Sequence, residues 1–162
     1  MRPPIFVRTG QARAAAGEAV LATLGLGPCV AVLLHDPAAG IGGLAHAMLP
    51  DPATAPDGGP AARFAARAVP TLVGEMTALG AAPRRLVATL VGGAALFEPL
   101  ACQGQRTLGA RNVDAARAAL SDARIPIRAE AVGGDFGRSV YFQIADGQVL
   151  VTAVGRPDVV LG

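Results

Sequence analysis

Glycine and proline interrupt this chain so often that only short secondary-structure elements can form. The 162 residues include 21 glycines and 13 prolines, although 52% of them are hydrophobic. No apolar run therefore approaches the roughly 18 to 20 residues that cross a bilayer. The opening MRPPIFVRTG also carries prolines where a secretory signal would be apolar. We expect a cytoplasmic protein of one domain, residues 1–162, without membrane insertion.

Charge and aromatic content exclude a nucleic-acid-binding protein. The net charge is only +2, all fourteen basic residues are arginines, and these are dispersed along the chain. Tyr141 is the only tyrosine and there is no tryptophan, so stacking platforms for bases are scarce. The two cysteines, Cys29 and Cys102, lie far apart, and neither a CxxC nor an HExxH pattern occurs. We expect neither a structural metal nor a disulfide.

The apolar segments predict an α/β protein of the α+β sandwich type, in which mixed β-sheets pack against helices. A stripe from Phe64 to Leu79 predicts a helix over 61–79, kinked or split at Pro70. A second helix is predicted from an N-cap at Asn112 to about Ala123. The predicted strands are 18–24, 29–35, 41–49, 86–91, 125–132, 138–145 and 148–154.

The strands on either side of the turn DPAAG bring a cysteine close to a histidine. If the loop is 36–39, His35 faces Gly40 and Cys29 faces His46, with Cβ atoms about 4.5–5.5 Å apart. A loop one residue longer would put Cys29 and His46 on opposite faces, unless a bulge restores the phase. The sequence leaves both registers open.

A cysteine beside a histidine is the smallest set of groups that can perform nucleophilic attack on an amide or ester carbonyl. A neighbouring imidazolium lowers the pKa of a thiol, and the same ring then protonates the leaving group. The plainer alternative is that Cys29 is a small core residue and His46 a hydrogen-bonded structural group. The local sequence alone does not decide between these two interpretations.

The wider pattern resembles the chemoreceptor glutamine deamidases of the CheD family. The resemblance begins with TLGLGPCVAVLLHDPAAGIGGLAHAMLP, covers about residues 20–154, and rests on an ordered set of motifs. The later motifs are LGA (79–81), VGGAALF (91–97), LGARNV (108–113), IPIRAEAVGG (125–134) and GRSVYF (137–142). It implies a cysteine-dependent protein-glutamine glutaminase that converts receptor glutamines to glutamate and releases ammonia.

The resemblance also assigns roles to individual residues. Cys29 corresponds to the family's nucleophile, His46 to its general acid and base, and Thr23 to the hydroxyl that orients the histidine. It implies no cofactor and no metal. The implied partners are chemoreceptor cytoplasmic domains, as substrate, and a CheC-type phosphatase. Docking on that phosphatase with weak or no deamidase activity is the alternative function, and a cysteine hydrolase of another amide or ester is a third.

Two positions depart from the family pattern. Pro28 stands where serine is usual, which removes an N–H and a hydroxyl beside the nucleophile and stiffens the turn. Ala131 stands where an acidic residue is common. Of the remaining candidates, His35 is expected at the surface and Cys102 is expected to be a bystander thiol. Paired glycines at 42–43, 92–93 and 133–134 are expected to permit close backbone approach or positive φ.

Overall fold

The computed structural model describes residues 2–54, 58–96 and 106–162. Two helices, α1 (Ala65–Ala78) and α2 (Leu108–Asp122), accompany ten strands. The strands are β1 (Ile5–Phe6), β2 (Ala12–Ala16), β3 (Val20–Leu26), β4 (Val30–Asp36), β5 (Ile41–Ala47), β6 (Val87–Gly92), β7 (Ile127–Val132), β8 (Arg138–Gln143), β9 (Val149–Thr152) and β10 (Val159–Leu161). Short 3-10 turns cover Pro52–Thr54, Ala61–Arg63 and Pro83–Arg85.

The strands form two sheets, and the helices add a third layer. One sheet has the order β1-β3-β8-β9-β10 and the other the order β2-β5-β4-β6-β7. Both are mixed, because β1 pairs with β3 and β6 pairs with β7 in parallel while the other pairs are antiparallel. Both helices pack on the second sheet. Helix α1 contacts β4 and β5, and helix α2 contacts β4 and β6. The predicted α+β sandwich of mixed sheets and helices is confirmed.

Strand β4 lies at the centre of the core and is buried on both faces. Val30, Val32 and Leu34 face the helices, whereas Ala31 and Leu33 face the first sheet. This two-sided burial explains why residues 30–34 are all apolar instead of alternating with polar ones. Each face of β4 contributes to a separate cluster of buried side chains.

The glycine pair in β5 lets this strand lie close to both neighbouring layers. A Cβ built on Gly42 would lie 2.8 Å from Phe142 in the first sheet, and one on Gly43 would lie 2.9 Å from Leu72 in α1. Neither position has room for a side chain. The expectation of close backbone approach at this pair is confirmed.

Several predicted boundaries need correction. Helix α2 begins at Leu108, where Thr107 is the N-cap and its hydroxyl accepts a hydrogen bond from the Ala110 N–H. The predicted N-cap, Asn112, therefore lies inside the helix. Helix α1 continues through Pro70 without a break. Strands β1, β2 and β10 were not predicted, because they are short or carry mostly alanine.

One end of the sandwich gathers the chain segments on which the site depends. Strand β3 ends there at Leu26 and β4 begins there at Val30, whose partners are Ala47 of β5 and Gly92 of β6. Strand β7 also ends at this edge, where Val132 pairs with Gly92, and β8 begins there at Arg138. We call this end, with the connection 27–29, the Cys29 rim.

Candidate active site

Thr23 and His46 meet between the two sheets, close to the Cys29 rim. The Thr23 hydroxyl lies 2.6 Å from the Val7 carbonyl oxygen and 2.7 Å from His46 Nδ1. Because the carbonyl can only accept, the hydroxyl donates its proton to Val7 and accepts from Nδ1–H. His46 therefore carries its proton on Nδ1, and Nε2 holds the free lone pair. This arrangement makes Nε2 a base.

Cys29 is the diagonal neighbour of His46 on the same face. The directly opposed pair is Ala31 and His46, so the predicted pairing of Cys29 with His46 is wrong by two residues. The shift arises because Asp36 extends β4 and pairs with Ile41, which moves the loop to 37–40. An even shift keeps the face, and diagonal neighbours lie about 7–8 Å apart. Cys29 and His46 thus remain within side-chain reach.

The turn that carries Cys29 is fixed by backbone hydrogen bonds from the segment after β6. The Gly93 N–H donates to the Cys29 carbonyl at 2.8 Å, and the Ala94 N–H donates to the Gly27 carbonyl at 2.8 Å. Gly92 adopts φ 114°, and a Cβ there would overlap the Cys29 carbonyl oxygen. Glycine is therefore required at 92 by both conformation and space. Two backbone hydrogen bonds therefore hold the turn on this side.

Asn112 joins the two strand ends of the site. Its side chain is fully buried in α2, and Nδ2 donates to the Pro28 carbonyl at 2.8 Å and the Met48 carbonyl at 3.2 Å. One carbonyl precedes Cys29 and the other follows β5 just beyond His46. Sequence reasoning missed this role and placed Asn112 at a helix start. A polar residue among Val113, Ala116 and Leu120 on the inner face of the helix is the signal that could have identified it.

Burial favours the neutral form of both Cys29 and His46 in the substrate-free protein. Burial raises the pKa of the Cys29 thiol, and burial lowers the pKa of His46 to about 4. No hydrogen bond joins Cys29 to His46 within the described part of the chain, and Thr9 Oγ1 lies 3.5 Å from Nε2. The expected lowering of the Cys29 pKa by an imidazolium is therefore wrong. Burial favours the protonated sulfur, and among the described residues no charge offsets this effect.

His35 lies away from the rim, at the other end of β4. His35 is buried, not exposed as predicted, because its Nε2 donates to the Ile144 carbonyl at 2.8 Å and its ring packs edge-on against Phe142. Cys102 lies outside the described residues. Within the described ranges, no group of three or more His, Cys, Asp or Glu side chains is placed to hold a metal ion.

Comparison with known proteins identifies the family. The family model described as CheD chemotactic sensory transduction matches residues 48–153, more than half of the chain. The chain belongs to the CheD family. The probable chemoreceptor glutamine deamidase CheD 2 of Geobacter metallireducens is 45% identical over 154 residues, which cover 94% of this chain and 95% of that protein. The chemoreceptor glutamine deamidase CheD of Thermotoga maritima is 45% identical over 136 residues, 84% of this chain and 83% of that protein.

Pro28 and Ala131 are both compatible with their surroundings in the structure. Pro28 contributes its carbonyl to Asn112, and this contact needs no N–H at position 28. Ala131 lies on β7 and packs at the edge of the cluster between the sheets.

In the described ranges, no helix has the length and apolar character needed to span a bilayer.

Proposed function

We propose that this CheD protein deamidates glutamine side chains of chemoreceptors, with Cys29 as nucleophile, His46 as acid and base, and Thr23 as the group that orients His46. Membership of the family and the names of its relatives support the reaction. The observation that supports the residue assignment is the Thr23–His46 hydrogen bond, which leaves Nε2 as the basic nitrogen of a histidine on the same strand face as Cys29.

In the first half of the reaction, His46 Nε2 takes the proton of the Cys29 thiol as the sulfur attacks the glutamine carbonyl carbon. The tetrahedral intermediate collapses, the C–N bond breaks, and the proton on Nε2 passes to the departing nitrogen. Ammonia leaves and a thioester remains. His46 only transfers this proton from the thiol to the leaving nitrogen, so it is neutral at the start and at the end of the step.

In the second half, water replaces ammonia. His46 Nε2 takes a proton from water, the hydroxide oxygen bonds to the thioester carbon, and the C–S bond breaks. The thiolate recovers its proton from His46, and glutamate leaves. The cycle consumes one water and needs no electron transfer.

The reaction requires the sulfur to approach Nε2 more closely than in the substrate-free protein. Rotation about the Cys29 side chain is the smallest change that does this, because the backbone of the turn is fixed by Gly93 and Ala94. The Cys29 backbone N–H already points towards its own sulfur and lowers the pKa slightly. This N–H is the donor nearest to a developing oxyanion, while Pro28 supplies none.

Exposed apolar side chains border the rim and suit a protein substrate. Leu24 is 50% exposed and lies two residues before the end of β3. Met48 is 39% exposed and directly follows β5. A receptor helix that covers them would also exclude water from the sulfur. Docking on a CheC-type phosphatase remains a prediction of the family resemblance, testable by co-purification of wild type and Cys29→Ala.

The test is incubation with receptor cytoplasmic fragments, followed by peptide mass spectrometry and an ammonia assay. We expect Gln-to-Glu conversion in the wild type and none in Cys29→Ala. Cys102→Ser is the matched control and should retain activity. Deamidation that persists in Cys29→Ala would remove this cysteine from the mechanism. A wild type inactive on every receptor fragment would instead contradict the substrate assignment.

A further inference from the structure

Two arginines share one aromatic ring at the Cys29 rim. The guanidinium carbon of Arg138 lies 4.2 Å from the centre of the Phe136 ring, and that of Arg156 lies 3.8 Å from it. Arg138 begins β8 and is only 7% exposed. The Arg156 side chain is 51% exposed and lies at the surface. Like charges are thus held together around Phe136, one of them buried.

Among the described residues, no buried carboxylate balances these charges. Arg138 Nη1 donates to the Gly133 carbonyl at 2.8 Å, and within the described ranges Arg138 forms no ion pair. Arg156 has a distant partner, Asp135 at 4.0 Å, whose side chain is 84% exposed. Burial and the repulsion from Arg156 lower the pKa of Arg138. A buried arginine without a counter-charge is costly, which favours a site that an anion completes.

A cavity of about 290 Å³ opens beside these groups. Both arginines and Phe136 line it, and its other walls include the apolar side chains of Ala131 and Val159. Because Nη1 is already used, Arg138 retains its Nε and Nη2 edge, and two parallel N–H donors match the two oxygens of a carboxylate. The apolar walls suit the short aliphatic stem of an aspartate or glutamate.

We propose that this cavity binds a carboxylate, supplied by an acidic side chain of the protein substrate near the target glutamine. Arg138 pairs with Leu26, three residues before Cys29. Three residues span at most about 10 Å and the strand pair adds about 5 Å, so one substrate segment can reach both places. The substrate part of this proposal rests on the proposed function.

The first experiment tests the site without the reaction. Propionate, which mimics a glutamate side chain, is titrated into the full-length protein while the arginine Nε–H signals are followed by NMR. Propionamide and sodium chloride at equal ionic strength are the matched controls. We expect a saturable shift of the Arg138 signal with propionate only. An absent shift, or an equal shift with chloride, would overturn the carboxylate site.

Three variants test whether the NMR shift with propionate arises from binding in this cavity. Ala131→Asp places a carboxylate in the cavity beside an intact Arg138, and it should abolish the shift while raising the melting temperature. Arg156→Gln should weaken propionate binding several-fold. Arg84→Gln, which removes an exposed arginine at the opposite end of β6, should bind as the wild type does. Undiminished binding in Ala131→Asp would place the anion elsewhere and contradict the proposal.

The second experiment identifies the source of the carboxylate. Acidic side chains near a deamidated glutamine of a receptor fragment are changed to amides, one at a time. We expect one such change to raise KM about tenfold for the wild type and leave it unchanged for Ala131→Asp. A uniform KM across all substrates would show that the site takes a free carboxylate instead and would overturn the substrate part. A protein that binds propionate but deamidates nothing would contradict the proposed function while leaving the carboxylate site intact.

Discussion

At the scale of single residues, the choice of a hydroxyl partner explains the electrostatic state of His46. Thr23 accepts the Nδ1 proton but carries no charge, so it fixes the ring without stabilising an imidazolium. A carboxylate in the same place would hold the pKa of the ring up. With Thr23, burial dominates and the pKa falls to about 4. The proposed reaction therefore begins with a neutral imidazole and a neutral thiol.

Thr23→Val tests the orienting role. The variant keeps the shape of the side chain but leaves Nδ1 without its acceptor, so we expect kcat for deamidation to fall about 10²-fold with KM nearly unchanged. Thr23→Ser restores the hydroxyl and should recover most of the activity. The measurement is steady-state ammonia release from a receptor fragment. Equal loss in Thr23→Ser and Thr23→Val would show that packing, not the hydrogen bond, is what matters.

The neutral thiol predicts a distinct alkylation profile. In a Cys102→Ser background, the rate of iodoacetamide reaction with Cys29 should keep rising as the pH increases past 9, because burial raises the pKa of the thiol. A thiolate–imidazolium pair would give a plateau at neutral pH. Observation of such a plateau would contradict the neutral state described for the substrate-free protein. His46→Gln provides the control, since it should leave the profile almost unchanged.

At the scale of elements, α2 acts as a brace between the turn of Cys29 and the end of β5. Asn112→Ala removes the amide that donates to the Pro28 and Met48 carbonyls and leaves a gap at a fully buried position. We expect the free energy of unfolding in urea to fall by about 2 kcal/mol. Arg111→Ala, at the exposed neighbouring position of the helix, is the control and should change stability by under about 0.5 kcal/mol. A loss no larger than that of the control would exclude a bracing role.

The proline before Cys29 gives a second prediction at this scale. Pro28→Ser frees the backbone of the turn in the unfolded chain, so we expect stability to fall by about 0.4–1 kcal/mol. Activity should change little, because the carbonyl that binds Asn112 is retained. The measurements are urea unfolding and kcat on the same preparation. A large gain in kcat would show instead that the lost serine hydroxyl takes part in the reaction.

The elements also show how far sequence patterns extend. Apolar runs predicted the central strands, because burial on both sides of a strand leaves a clear pattern, whereas the shared face of Cys29 and His46 depends on a register that the sequence left open. They did not predict the start of α2, since Gly109 resembles a loop residue. That glycine is needed where the helix touches the Gly93 carbonyl, a contact between segments far apart in sequence. The burial of the His35 and Asn112 side chains likewise depends on contacts between segments that are distant in sequence.

At the scale of the whole molecule, the two-cluster core buries both histidines and so couples stability to pH. Burial lowers the pKa of His35 and of His46 below the value of about 6.5 that they have when unfolded. The unfolded chain therefore binds more protons as the pH falls from about 6.5 towards 4, and the folded state loses stability over that window. Asp36 does not contribute there, because Arg85 holds its pKa well below the ordinary value and its loss comes at lower pH.

The expected size follows from the shift at His46 alone. Between pH 7 and pH 5 this residue should reduce the free energy of unfolding by about 2 kcal/mol, with a further loss from His35. The measurement is urea unfolding, followed by circular dichroism, at several pH values between 7 and 5. His46→Gln should flatten the dependence, because glutamine does not titrate, while Arg84→Gln should leave the slope of the wild type unchanged. A wild-type midpoint that stays constant over this range would mean that the histidines titrate normally, and the neutral imidazole on which the proposed base depends would lose its support.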